Sequence, residues 1–190
     1  MINKIIHRVK KIFFWTAHAR RFKVYSFSST ILDALKLEGH GFISIGKKVY
    51  VHKFAWLSAF QVSDMKPDLV ISDGCSIGNF NHITCVGKVW LGKSVLTADR
   101  VYISDNLHDY SDPTTPILYQ PTRFKKEVVI GDGAWIGENV CIIGASVGKN
   151  SVIGANSVVT NDIPDYCVAI GSPAKVIRRY DFETKQWTKI

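Results

Sequence analysis

The stretch Ile130–Thr160, IGDGAWIGENVCIIGASVGKNSVIGANSVVT, decides how this chain is read. Branched apolar residues stand at Ile130, Ile136 and Ile142, then at Val147, Ile153 and Val159, a spacing of six, six, five, six and six. Glycine follows in four of those six units, as Gly131, Gly137, Gly148 and Gly154. An amphipathic helix returns its apolar face every three or four residues and a half-buried strand every two. A locked six-residue phase belongs instead to a solenoid of stacked repeats. Each unit reads as a short flat strand plus a corner, its branched residue pointing inward and stacking on its equivalent one coil away. The fifth position of the unit (Ala134, Val140, Ser151, Ser157) is mostly small, as a crowded interior needs. Asp132-Gly133, Glu138-Asn139, Lys149-Asn150 and Ala155-Asn156 supply the corners, where glycine and asparagine tolerate unusual backbone angles. Three units close a triangular coil of about 18 residues, a parallel β-helix.

Upstream the same phase runs through Ile45-Gly46, Val51 and Leu57, then breaks from Gln61 to Asp68 around Pro67, where a small protruding loop is expected. It resumes at Ile71, Ile77 and Ile83, and slips through Val86-Gly87-Lys88-Val89 to Leu91-Gly92, which predicts a bulged corner. It continues at Thr97 and Ile103, with Thr97 a weak inward unit satisfied by adjacent backbone. Residues 104–127, SDNLHDYSDPTTPILYQPTRFKKE, hold Pro113, Pro116 and Pro121 and no six-residue phase. A solenoid extrudes such a loop from a corner without loss, and a loop of this length is usually functional. After Thr160, Asn161-Asp162-Ile163-Pro164 ends the solenoid.

The two ends differ from the middle. Residues 1–20 read as an amphipathic helix, with Ile2, Ile5, Ile6, Val9, Ile12, Phe13 and Thr16 on one face and His7, Arg8, Lys4 and Lys11 away from it. Such a helix packs on its own body or a neighbouring subunit, or lies on an anionic membrane surface; both readings stand. Residues 21–42 read as a linker with a short second helix opening at Ser28-Ser29-Thr30 and closing at Gly39-His40-Gly41. The tail, with Phe182 and Trp187 among basic residues, reads as a short helix capping the open end of the solenoid. The division is therefore 1–42 helical extension, 43–179 β-helix and 180–190 cap.

Composition narrows the function. With 190 residues and 46% apolar content, one domain with a real core is expected. The net charge is +8, but seven positive residues (Lys4, Arg8, Lys10, Lys11, Arg20, Arg21, Lys23) precede the first acid, Asp33. The body is near neutral, which argues against nucleic-acid binding. Cys75, Cys85, Cys141 and Cys167 lie far apart in repeat-like segments and fit buried thiols of a reducing compartment better than bridges or a metal knuckle. No apolar run is long enough to span a bilayer, and Arg8, Lys10 and Lys11 interrupt any signal peptide. The cytoplasm is the expected location, at the inner membrane face if the first helix meets lipid.

Repeats followed by Gly171-Ser172-Pro173-Ala174-Lys175-Val176-Ile177, a Gly-x-Pro-Ala-Lys-Val-Ile closing signature, resemble the hexapeptide-repeat acyltransferases from about Ile43 to Arg179. The likeness is nearest to the galactoside/maltose type and the capsule or exopolysaccharide type of sugar O-acetyltransferase. It implies an all-β left-handed parallel β-helix, although the usual hand of parallel crossovers is the opposite. It also implies a homotrimer with sites between subunits, acetyl-CoA as acyl donor, and a sugar hydroxyl as acceptor in capsule, exopolysaccharide or lipopolysaccharide synthesis. By the same resemblance the loop at 104–127 walls the active site and reaches the next subunit.

Acetyl transfer needs a base, a donor for the oxyanion and a shape that aligns both substrates. Histidine changes charge near neutrality, and His108 stands where the repeat opens into the loop, the place of the catalytic histidine in galactoside-type enzymes. Asn79-Phe80-Asn81 matches the family's Asn-Phe-Asn motif 29 residues earlier. Asn79 is expected near His108 on a successive coil, positioning the acceptor. Asp105, Asp109 or a backbone carbonyl would orient the imidazole. Capsule-type relatives often carry Asp-His-x-His here, and this chain has Asn106 in the first histidine's place. By resemblance Trp135, Ala155 and Thr160 flank the pantetheine arm, and Lys175 and Arg178 meet the nucleotide phosphates.

Rival readings follow from the same residues. A covalent route through Cys85 or Cys141 is disfavoured because both fall in repeat units. A zinc site of the β-helical carbonic anhydrase kind needs three converging histidines, and His108 is the only one after Ile83, so no metal is expected. His7, His40 and His52 read as surface histidines, and His82 stays open as a neighbour of the site. N-acetylation of an amino sugar, or a non-enzymatic structural repeat, are the alternatives. The acceptor and the length of the acyl chain are not written in these residues.

Overall fold

The computed structural model describes residue 12, residues 14–16 and residues 18–190. Short parallel strands wind through them as a three-sided prism, a left-handed parallel β-helix. The first face stacks Val24–Tyr25, Ile43–Ile45, Asp68–Ile71, Lys88–Leu91 and Val128–Ile130. The second stacks Thr30–Ile31, Tyr50–Val51, Ser76–Ile77, Leu96–Thr97, Trp135–Ile136, Val152–Ile153 and Cys167–Gly171. The third stacks Lys36–Glu38, Trp56–Ala59, His82–Cys85, Tyr102–Ser104, Cys141–Ile143 and Val158–Val159.

Registers align the inward residues into columns. Ile45 pairs with Ile71, Leu91 and Ile130 in turn; Ile77 with Thr97 and Ile136; Leu57 with Ile83, Ile103 and Ile142. The apolar members of these columns are fully buried. This is why the six-residue phase is obeyed: one residue per face fills the axis, and its neighbours turn outward. Thr97 is buried as well, and its hydroxyl accepts the Gly78 N–H at 3.1 Å. Asn139, Asn150 and Asn156 take left-handed backbone, with φ of 56°, 49° and 59° at their corners. The bulged corner is present: the buried Asp105 carboxylate accepts the N–H of Val86 at 2.9 Å and of Gly87 at 2.8 Å.

The ends depart from expectation. Residues 21–42 form no second α-helix; three short strands pair in parallel with the next coil, so the prism already winds from Val24. The Ser28-Ser29-Thr30 signal belongs to coil stacking instead of a helix cap. Ser29 is fully buried, and its hydroxyl donates to Gly46 O and accepts the Val49 N–H at 2.9 Å. Before this coil, residues 12, 14–16 and 18 are helical and lead into a 3-10 turn at Ala19–Arg21. The Phe14 ring packs 5.6 Å from Tyr25 and 6.5 Å from Phe22, which docks this end of the helix on the first coil. The positions from Ile2 to Lys11, on which a lipid contact would depend, lie outside the described residues. Among the described residues no helix is long and apolar enough to cross a membrane.

The tail is a hairpin and not a helix. Ala174–Asp181 runs antiparallel to Cys167–Gly171, and Gln186–Lys189 runs antiparallel to it in turn. Asp181 makes the turn by accepting the Glu183 N–H at 2.9 Å and the Thr184 hydroxyl at 2.9 Å. Tyr180 lies 5.4 Å from Trp187 and 5.0 Å from Phe182, so aromatic and β-branched side chains pack across a sheet. The chain covers its open sheet end with more sheet.

The extruded segment is an ordered arm. Asn106–His108 pairs antiparallel with Thr122–Phe124, and a 3-10 turn spans Ile117–Tyr119 near the tip. Asp112 accepts from Thr114 and Thr115, which holds its carboxyl down at about 2, and the Gln120 amide ties Asp112 O and Thr115 O at 2.8 and 2.7 Å.

Candidate active site

The arm leaves the corner between the third and first faces, and its base is pinned there. Lys125 N–H donates to Asp105 O at 2.7 Å, Lys125 Nζ to Ile143 O at 2.9 Å, and Lys126 Nζ to Asp162 at 2.7 Å. The Phe124 ring packs against Gly87 at this corner, where a Cβ would come within 2.6 Å of it and push the ring aside. The result is that His108, on the first strand of the arm, is held beside the outer surface of the third face. There it lines a trough of about 250 Å³ with Trp56, His82, Tyr102, Ser58 and Glu38.

His108 is exposed, and among the described residues its imidazole has no hydrogen-bond partner. Neither aspartate orients it. Asp105 spends its carboxylate on the Val86 and Gly87 amides and on Asn106 Nδ2, 2.9 Å away. Asp109 accepts the Ser111 N–H at 3.0 Å and stands 3.8 Å from Arg123 Nε; that amide first, and the arginine after it, hold its carboxyl below the usual range. Asn106, in the place of the first histidine of the Asp-His-x-His pattern, is buried and faces Asp105 and Thr84.

Asn79 is not brought to His108 within the chain. It sits at the corner before the strand His82–Cys85, whereas His108 follows the exit of the paired strand Tyr102–Ser104. The width of the third face, on the order of 15–20 Å at strand rise, separates these two corners. Asn79 is a rung of its corner: its Oδ1 accepts the Lys53 N–H at 3.2 Å, and its amide and side chain donate to Asp99 at 2.7 and 3.1 Å. Phe80 stacks on Phe54 at 4.9 Å, and Asn81 donates to Ala98 O at 2.7 Å. The sequence spacing measured coils, not the distance across a face.

The positions assigned to the donor divide between two edges. Trp135, half exposed, stands in one outward row of the second face with Leu96, Val152, Val168 and Arg178, in register strand by strand. Lys175 lies on the same hairpin strand opposite Ile170. Ala155 stacks over Gly137 at the corner just after Trp135. Thr160 follows Val159 at the far corner of the third face, near the base of the arm. An apolar row ending in two exposed cations suits a chain-like ligand with a phosphorylated end.

Cys85 is fully buried, and burial first, with the Asp105 charge after it, pushes its thiol far above the ordinary range, which leaves no nucleophile there. The side chains the sequence did not single out are Trp56 and Tyr102, which share a row with His82. Each directly precedes an inward residue (Leu57, Ile83, Ile103), and that shared position was the available signal.

Known proteins resemble the chain in sequence and, among solved structures, in fold. Residues 127–161 match the family described as hexapeptide repeat of succinyl-transferase. A putative lipopolysaccharide biosynthesis O-acetyl transferase of Escherichia coli K12 is 38% identical over 128 residues, 64% of this chain and 65% of the relative. The galactoside O-acetyltransferase of the same organism is 34% identical over 137 residues, 65% of this chain and 64% of the relative. The chain thus spans slightly less than two thirds of the length of these relatives. Among solved structures, an N-acyltransferase from Bacillus cereus in complex with dTDP and 3-hydroxybutyryl-CoA superposes with a TM-score of 0.71 at 20% identity, over 93% of this chain and 89% of that one. That likeness is one of fold.

Proposed function

We propose, given that the chain belongs to the hexapeptide-repeat acyltransferase family, that it transfers an acetyl group from acetyl-CoA to a sugar hydroxyl in the synthesis of a surface polysaccharide. The observation that carries this is His108. An unpartnered imidazole is held by an ordered arm at the end of a hydroxyl-lined trough of pyranose size. His108 takes the proton of the acceptor hydroxyl as its oxygen attacks the thioester carbonyl. A backbone N–H of the donor groove steadies the oxyanion, the C–S bond breaks, and the CoA thiolate recovers the proton from the imidazolium. Trp135, Ala155 and Thr160 would flank the pantetheine arm, and Lys175 and Arg178 its phosphates. Asn79 would meet the acceptor only from a neighbouring chain.

The split of these positions between two edges supports a donor groove formed by two chains side by side, hence a homotrimer. So does the arm tip, where Leu118 and Tyr119 are 79% and 76% exposed with no cover. A cytoplasmic site of action, with residues 1–20 at the membrane surface, suits a lipid-linked acceptor. The second reading, N-acyl transfer to an amino sugar, shares donor, base and trough and differs only in the acceptor atom. Relatives named for O-acetyl transfer and a B. cereus enzyme named for N-acyl transfer stand on the two sides of this choice, and the acceptor panel decides it.

The test is CoA release from acetyl-CoA with methyl β-D-galactopyranoside, maltose and dTDP-4-amino-4,6-dideoxyglucose as acceptors, beside His108→Ala. Acceptor-dependent release that collapses in the variant is expected. A product acetyl group removed by hydroxylamine is an ester, and one that resists it is an amide. Release that survives the substitution would remove His108 as base.

A further inference from the structure

The outward side of the third face carries two parallel rows, and between them lies the trough that ends at His108. One row is Lys36, Trp56, His82 and Tyr102, in register across four coils. Its rings lean on one another: His82 stacks on Trp56 at 4.1 Å and 12°, Tyr102 follows at 5.1 Å, and Lys36 Nζ covers the other side of Trp56 at 5.0 Å. Ring faces are used up by these neighbours, so the row presents its edges to the trough. The second row is Glu38, Ser58 and Thr84, again in register, with Ser58 Oγ donating to Glu38 at 2.8 Å. The arm closes one end with Leu107, His108 and Thr122.

One feature of this trough is unspent by the fold. It is His82, whose ring makes stacking contacts but no hydrogen bond among the described residues. Burial first, and the Lys36 charge after it, lower its pKa, so at neutral pH it offers one N–H and one lone pair.

We propose that this trough takes a single pyranose ring of the acceptor, and that His82 is the positioning residue that fixes it by hydrogen bonding a ring hydroxyl while His108 faces the reacting group. Ring edges carry the positive side of the aromatic quadrupole and suit sugar oxygens, and Ser58 and Thr84 line the same trough. This rests on the transferase reading for the identity of the reacting end, while the saccharide site itself is read by binding alone.

The experiment uses the full chain, His82→Phe, which keeps the stack and removes both nitrogens, and His82→Gln, which returns hydrogen-bonding groups. Saturation-transfer NMR with methyl β-D-galactopyranoside and methyl β-D-glucopyranoside reads occupancy without turnover. Steady-state kinetics reads KM for whichever glycoside is acetylated. His82→Phe is expected to raise the acceptor Kd or KM about five- to tenfold with the acetyl-CoA KM unchanged, and His82→Gln to recover most of it. Thr84→Val, on the opposite row, is expected to weaken the same glycoside and stands in if His82→Phe fails to fold. Unchanged glycoside binding in folded His82→Phe, or no saturation transfer to the unmodified chain from either glycoside, overturns the assignment. Glycoside binding that is lost in His82→Phe, in a protein that releases no CoA, upholds the trough and defeats the transferase reading instead.

Discussion

On the second face the outward row reads Tyr50, Ser76, Leu96, Trp135, Val152 and Val168; on the third it reads Lys36, Trp56, His82, Tyr102, Cys141 and Val158. Their inward rows are alike, Ile, Val and Leu with an occasional Ala or Thr, and buried except for the half-buried Leu37 of the first coil. The two faces therefore share one architecture and differ in what they show to solvent. Strand geometry explains why. Inward residues must fill an axis of fixed width, while each outward neighbour is free to be selected for a ligand. One face becomes an apolar track leading to Lys175 and Arg178, and the other a polar trough leading to His108.

That contrast can be broken or sharpened in order of effect. His108→Ala should lower kcat about 10²- to 10⁴-fold with a small change in thermal stability, and a loss below tenfold would place the base elsewhere. Ile83→Ala and Ile136→Ala, one inside each face, should each cost about 2–5 kcal/mol in urea unfolding. A cost confined to one of them would end the equivalence of the two interiors. Asp105→Ala strips the partner from two buried amides and should cost about 1–3 kcal/mol, with earlier proteolysis of the arm. Replacing Lys175 and Arg178 together by Ala should raise the acetyl-CoA KM about fivefold and leave the acceptor KM alone, an effect that shrinks with added salt.

The smallest effect is on pH. Burial and Lys36 lower the pKa of His82, and burial, Arg21 and His18 lower that of His40. Below about 6.5 the unfolded chain then binds more protons than the folded one, so stability present above that pH falls as acid is added. Melting temperatures from pH 8 to pH 5 should show this decline, and His82→Phe should flatten it in part. An identical slope in the variant would mean that His82 does not titrate with folding.

The interior was legible in the sequence because geometry leaves it no choice. Ile71, Ile77, Ile83 and their equivalents announce themselves by phase, and Thr97 fell in the phase although polar. The slip at Val86 and Gly87 was legible for the same reason, though not its cause, the carboxylate of Asp105. The first coil was misread because Ser29 looks like a helix cap when its buried partners, Gly46 and Val49, are a coil away. The tail was misread because scattered charge outweighed Val176 and Tyr180, which pair across strands with Ala169 and Trp187. His108 stood out in the sequence because it ends a repeat. Trp56 and Tyr102 left only a weak trace, their shared place before an inward residue, because an outward position imposes no residue type and the loop at Gln61–Asp68 stretches the interval between Trp56 and His82.

The base of the arm has a consequence for how such proteins diversify. Asp105, Phe124 and Lys125 fasten both ends of the insertion to backbone of the neighbouring coils, at Val86, Gly87 and Ile143. Those fastenings ask nothing of residues 109–121. A segment of another length or composition can be exchanged there with the prism left in register and His108 still at its post. The arm is in that sense a cassette: its tip can drift in length and sequence while its base, and His108 with it, keeps its place on the prism.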